Sequence, residues 1–129
     1  MAGNKYKVFA QLDFMDCGPT CLKMVTAYFG KDYSIDFLRS NAFVSRSGVS
    51  LANLSLAAEK IGFKTLMVRI NCHKLSNEAP YPCILHWNQE HYVVLYDVKR
   101  QFSFSKRKFE DRYIIADPGH GLIALDREV

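Results

Sequence analysis

No run of apolar residues in this chain approaches the ~18–20 that a bilayer span needs, and the basic N-terminus has no apolar stretch behind it of the kind a secretory signal carries. The chain is therefore expected to be soluble and untargeted. There is no internal repeat, no low-complexity tract and no Pro/Gly/Ser-rich linker, so a single domain over residues 1–129 is expected. The charge imbalance is slight, a formal +4. That excess fits a cytosolic protein working near a membrane and by itself says nothing of nucleic acid. What is plentiful is apolar: 49% hydrophobic and 13% aromatic residues exclude disorder and suffice for one sizeable core. Four cysteines (Cys17, Cys21, Cys72 and Cys83) could form two disulfides in a secreted protein. Without a signal segment, a reducing compartment and free thiols are expected.

The two halves differ in hydrophobic period. From about Pro19 to Ile61 the steps are helical. Cys21, Leu22, Val25, Tyr28 and Phe29 line one stripe, which Gly30 ends as the residue after the cap. Ser34 caps a short helix carrying Ile35, Phe37 and Leu38. Leu51, Leu54, Ala57, Ala58 and Ile61 form a third stripe, capped by Ser47 or Ser50 and closed by Gly62. Beyond Gly62 the pattern is that of strands: Phe63 to Ile70, Pro82 to Trp87, His91 to Val98, Tyr113 to Ala116 and Leu122 to Leu125. Asn88, Gln89 and Glu90 read as a hairpin turn, and Asp117-Pro118-Gly119 as another. Helices followed by strands predict an α+β fold, with the helices packed on a C-terminal antiparallel sheet.

The segment from Gln11 to Leu22 carries the most chemistry. Pro19 suits the first turn of a helix, where its missing N–H is no loss. Cys17 then falls at or just before the helix N-terminus, where unpaired N–H groups and the macrodipole favour thiolate. Gly18 leaves the sulfur approachable, while Cys21 lies a turn deeper on the apolar stripe and reads as packing. Two other roles for Cys17 stay open: a buried structural thiol, and a metal ligand together with Cys21 and Cys72, His73 or Cys83. The metal set lacks a second tight knuckle, because Cys72 and Cys83 are too far apart.

A thiol nucleophile needs a base on a rigid element, oriented by a third group. His73 sits in a polar loop context and His120 in a glycine-flanked turn. His86 and His91 flank one hairpin, and His91 opens the apolar strand continuing to Tyr96, which makes it the candidate base. Asp117 ends an apolar strand and could present its carboxylate to that imidazole, though Asp before Pro often serves only to start a turn. The order Cys, His, Asp is compatible with papain-like logic. Gln11, ahead of Cys17, is the oxyanion-hole candidate, acting with the Cys17 backbone N–H.

Together these residues resemble the bacteriocin-processing cysteine peptidases, cysteine peptidase family 39. That family forms the N-terminal cytosolic domain of ABC exporters and cuts double-glycine leader peptides. The likeness lies in Gln11 and Asp16 to Leu22, in Tyr28-Phe29-Gly30, in His91 to Leu95 and in Asp117-Pro118 with Gly121 after it. Weaker matches are Leu38-Arg39, Ser47 to Leu51, Ala57-Ala58, Ile61-Gly62 and His86-Trp87. The resemblance implies a papain-like fold, with Cys17 as nucleophile, His91 as base, Asp117 as orienter and Gln11 in the oxyanion hole. It implies a leader peptide as substrate, and the transmembrane and ATPase domains of an exporter as partners. It also implies work at the cytoplasmic face of a bacterial inner membrane. No cofactor or metal is expected in this portion, ATP belonging to a downstream ATPase domain.

Since the family chain normally continues past the last strand, this sequence reads as an excised domain, a free-standing peptidase being the alternative. Tyr92 and Trp87 are expected as cleft walls. The stretch Lys99 to Arg112 is long and basic, interleaved with Phe102, Phe104 and Phe109. It reads as a solvated hairpin with two phenylalanines packed inward, or as a docking surface for the exporter, lipid headgroups or the leader. Rival functions are a leader-binding module that does not cut and another acyl-transfer enzyme on the same scaffold.

Overall fold

A computed structural model describes residues 6–87 and 91–126. After a short 3₁₀ turn, Phe14–Asp16, come α1 (Cys17–Tyr28), α2 (Ile35–Ala42), α3 (Leu51–Lys60) and the short α4 (Cys72–Asn77). Four strands follow: β1 (Cys83–Trp87), β2 (His91–Ser103), β3 (Lys108–Asp117) and β4 (Gly121–Asp126). They form one antiparallel meander in sequence order. The expected α+β arrangement, helices first and sheet second, is the one observed.

Local chemistry explains the helix ends. Ser34 accepts a hydrogen bond from the Phe37 N–H (3.2 Å) and Ser50, rather than Ser47, from the Asn53 N–H (3.1 Å). Gly30 and Gly62 close α1 and α3 at positive φ, where a side chain would be strained. His73, expected in a loop, lies within α4, whose Asn71 cap binds the Lys74 N–H at 2.9 Å.

Both faces of the first half of β2 are covered, which is why Tyr92 to Tyr96 are buried without alternation. On one face Tyr92, Val94 and Tyr96 pack with Cys21, Leu22, Met24 and Val25 of α1. On the other, Val93 and Leu95 pack with Tyr113 and Ile115 of β3 over Leu75 and Tyr81. Two tyrosine tips on the α1 side are satisfied: the Tyr92 hydroxyl donates to the Val49 carbonyl (2.9 Å), and that of Tyr96 to the Lys7 carbonyl. Tyr92 is thus core and not the cleft wall the sequence suggested, being 3% exposed.

Two further expectations fail. Phe63 to Ile70 is not a strand: it is an unladdered connection held to α3 by Thr65, which bonds Ser55 and Glu59 (3.0 Å to the latter). β-Branched composition alone does not make a strand without a neighbouring edge to pair with. Lys99 to Arg112 is hairpin, as expected, but its phenylalanines point outward. The proposed turn at residues 88–90 lies outside the described residues.

Cys21, fully buried in the α1 stripe, should cost about 1–2 kcal/mol when replaced by Ala. Leu66→Ser, on the exposed connection, should stay within about 0.5 kcal/mol of the parent. Urea unfolding measures both; a costly Leu66→Ser would mean the connection is packed.

Candidate active site

Cys17 is the first residue of α1, and Pro19 sits in that first turn as expected. The helix start is pressed close to the sheet. A Cβ on Gly18 would lie 2.4 Å from Val49 Cγ1 and 3.4 Å from the Tyr92 ring, so only glycine fits. The first turn of α1 therefore rides over β2 beside the strand position that follows His91. Cys17 itself is 5% exposed.

His91 opens β2, and Asp117 closes β3. Val94 is paired with Ala116, so one step on Asp117 faces Val93 and stands diagonal to His91. The imidazole reaches across that diagonal, with Nε2 2.6 Å from Asp117 Oδ1. With Nε2–H donating to the carboxylate, Nδ1 remains for proton exchange. The same carboxylate accepts the Gly119 N–H at 2.8 Å, and His120 Nδ1 stands 3.3 Å from Oδ2. Burial pushes the Asp117 pKa upward, but the His91 bond, the Gly119 N–H and the two neighbouring imidazoles outweigh it, and the pKa falls below the ordinary carboxylate value. A cavity of about 160 Å³ opens beside this pair, lined by Val93, Ile115, Ile123 and Leu125.

Gln11 is drawn into the same corner. Its backbone N–H donates to the Pro118 carbonyl at 2.9 Å, tying the N-terminal segment to the turn after Asp117. Its side-chain amide donates to the Asp13 carbonyl at 3.1 Å. One amide hydrogen is left uncommitted by that bond. Its Oε1 is buried and finds no partner among the described residues.

Sequence reasoning missed two members of this corner. His120 was set aside as a turn residue, yet the i, i+3 spacing of the Asp-Pro-Gly-His turn brings it to the Asp117 carboxylate. Asp16, directly before Cys17, is completely buried and accepts from Nε of Arg39 (3.0 Å) and from its Nη2. Asp16 in turn raises the Arg39 pKa. This forked pair pins the start of α1 to α2. Both residues stood in the quoted motifs, but nothing local in the sequence links positions 23 apart. The other thiols lie elsewhere: Cys21 is buried, Cys83 partly so and Cys72 is exposed on α4. Among the described residues no three His, Cys, Asp or Glu side chains gather as a metal would need.

A model of the peptidase C39 family matches residues 5–129. The colicin V secretion/processing ATP-binding protein CvaB of Escherichia coli is 34% identical over 125 residues, 97% of this chain and 16% of that protein. The pediocin PA-1 transport/processing ATP-binding protein PedD of Pediococcus acidilactici is 32% identical over 114 residues, 84% of this chain and 14% of that protein. The chain thus spans about a sixth of the length of these curated relatives. Among solved structures, a double glycine motif protease from an AMS/PCAT transporter, in complex with the leader peptide, superposes with a TM-score of 0.82 at 32% identity. That match covers 93% of this chain and 79% of the other. The peptidase domain of Streptococcus ComA superposes at 0.76 with 26% identity, covering 94% and 86%.

Two outcomes test the geometry without reference to chemistry. Arg39→Gln leaves Asp16 buried and unpaired, so it should lower the melting temperature, and adding Asp16→Asn should recover part of the loss. Asp117, its pKa depressed by folding, stabilises the protein above the ordinary carboxylate value, and this contribution disappears as pH falls through the lower folded value. The stability gap between parent and Asp117→Asn in urea should therefore be wide at pH 7 and shrink in acid. A gap that does not change with pH would contradict the assignment.

Proposed function

The chain belongs to the peptidase C39 family, with the papain-like fold of that cysteine peptidase family, and from that premise we propose that it is a thiol endopeptidase with Cys17 as nucleophile. Its substrate is the leader of a bacteriocin-like precursor, cut after a double glycine. The observation that carries this reading is the 2.6 Å bond from His91 to Asp117, with Cys17 at the first position of α1.

The steps follow from the groups present. The Cys17 sulfur, its proton passed to His91, attacks the carbonyl carbon of the second glycine. The developing oxyanion takes hydrogen bonds from the Cys17 N–H and from the amide hydrogen Gln11 has to spare. His91 Nδ1 delivers its proton to the leaving amine, Asp117 holding the ring by Nε2 throughout. Water, deprotonated by the same nitrogen, then releases the acyl group and restores the thiolate. The leader would lie as an amphipathic helix in the groove of about 490 Å³ between α3 and the connection after it, where Leu56, Leu66 and Met67 are exposed. Residues 1–129 act as a single domain. Its partners are the transmembrane and ATPase parts of an exporter at the cytoplasmic face of a bacterial membrane, and ATP binds outside these residues.

The relation among the four thiols supplies the test. Burial pushes the Cys83 thiol up to about 11 and raises Cys21 well above the ordinary value. At pH 6 a short pulse of iodoacetamide should label Cys17 far faster than exposed Cys72, despite the better access of the latter. His91→Ala should remove most of that preference. In cleavage of a Gly-Gly leader peptide, Cys17→Ala should be inactive, and Gln11→Ala should lower kcat by about 10²-fold with KM nearly unchanged. Equal labelling of Cys17 and Cys72, with leader bound and not cut, would instead identify a binding module.

A further inference from the structure

Beyond Lys99 the β2–β3 hairpin leaves the body of the protein. Register continues to Ser103↔Lys108, yet from Lys99 to Phe109 every residue but the half-buried Ser103 is exposed. Neither face of the ribbon is covered. Two-stranded ribbons with no packed face are marginal in water, and this one carries three aromatic rings. Phe102 meets Phe104 and Phe109 edge-on at 5.2 and 5.3 Å between centroids. Phe104, at the turn, is 87% exposed.

The charge on this ribbon is as unusual as its rings. Between Lys99 and Arg112 stand six basic and two acidic residues, so this segment alone accounts for the formal +4 of the whole chain. The rest is balanced, eleven residues of each sign. Of the two acids, Glu110 is buried against Lys106 at 2.9 Å, leaving its charge compensated within the ribbon. Arg100 lies over the Phe109 ring at 5.6 Å, so cation and aromatic surface are presented together.

We propose that this ribbon is a membrane-contact element: its tip places Phe104 among the headgroups of an anionic bilayer while the flanking cations bind the lipid phosphates. A convex tip with apolar rings at its end and cations behind suits a soft planar interface. An acidic peptide would need a concave surface to contact more than one side of the tip. Each lysine or arginine near an anionic leaflet adds about fivefold to partitioning, and a ring buried at the acyl boundary adds more. The inference is independent of the peptidase chemistry, because neither Cys17 nor His91 takes part.

The test is co-sedimentation of the full chain with vesicles of phosphatidylglycerol and phosphatidylcholine, and with vesicles of phosphatidylcholine alone. Binding to the mixed vesicles, absent from the neutral ones and weakened by salt, is expected. Phe104→Ser should lower partitioning about tenfold and Arg107→Gln with Lys108→Gln about 25-fold, with leader cleavage in solution unchanged in each. These side chains are exposed, so circular dichroism should show the parent fold. The proposal is overturned if the mixed vesicles fail to bind the parent, or if they bind these variants equally well. It is also overturned if a soluble acidic polypeptide competes fully and Phe104→Ser has no effect, which would identify an acidic protein surface as the partner.

Discussion

The first turn of α1 is held close to its neighbours at Gly18. A single added methyl there would penetrate Val49, in the segment before α3, and would touch the Tyr92 ring of β2 at 3.4 Å. Tyr92, which forms the floor under Gly18, is itself fixed by its hydroxyl on the Val49 carbonyl and by stacking with His86 at 4.4 Å. Height, lateral position and floor are thus set by three contacts within one small volume. Cys17 on the helix and His91 on the strand belong to different layers, and on the proposed function they act together only if the spacing of those layers is kept. The close approach at Gly18 restricts that spacing.

Electrostatics in this corner work against the chemistry unless they are partitioned. Two carboxylates belong to this part of the molecule, Asp16 directly before Cys17 in the chain and Asp117, and either would oppose negative charge on the thiol proposed as nucleophile. Each is committed elsewhere. Asp16 gives both oxygens to Arg39, and Asp117 gives its oxygens to His91, the Gly119 N–H and His120. Paired in this way, the carboxylates act as mechanical ties more than as free negative charge. Pro118 is buried and its carbonyl accepts the Gln11 N–H, so the turn after Asp117 also anchors the segment that carries the Gln11 amide.

Much of this was legible in the sequence, because the relevant signals are local. Cap residues at Ser34 and Ser50, closing glycines at Gly30 and Gly62 and a proline inside the first turn each act within four residues. The pairing of His91 with Asp117 followed from strand ends, and the family resemblance assigned the parts. What escaped depends on distance or on absence of a partner. The Asp16–Arg39 fork joins two helices, and only the folded chain brings them together. Phe63 to Ile70 has strand composition but no edge to ladder on. Tyr92 was misjudged because a strand buried on both faces gives no alternation to say which side meets solvent. Two phenylalanines of the ribbon were expected inside, with a docking surface as the alternative, and the body of the protein ends before it reaches them.

The near-complete burial of Cys17 also bears on oxidation. Thiol–disulfide exchange requires the incoming sulfur to approach in line with the bond being broken, and a residue showing 5% of its surface offers little room for that trajectory. A tripeptide thiol such as glutathione is bulky at its sulfur, whereas glycine backbone is not. That burial would slow the approach of a glutathione-sized thiol to the Cys17 sulfur. Mixed disulfides would then gather on α4, at exposed Cys72.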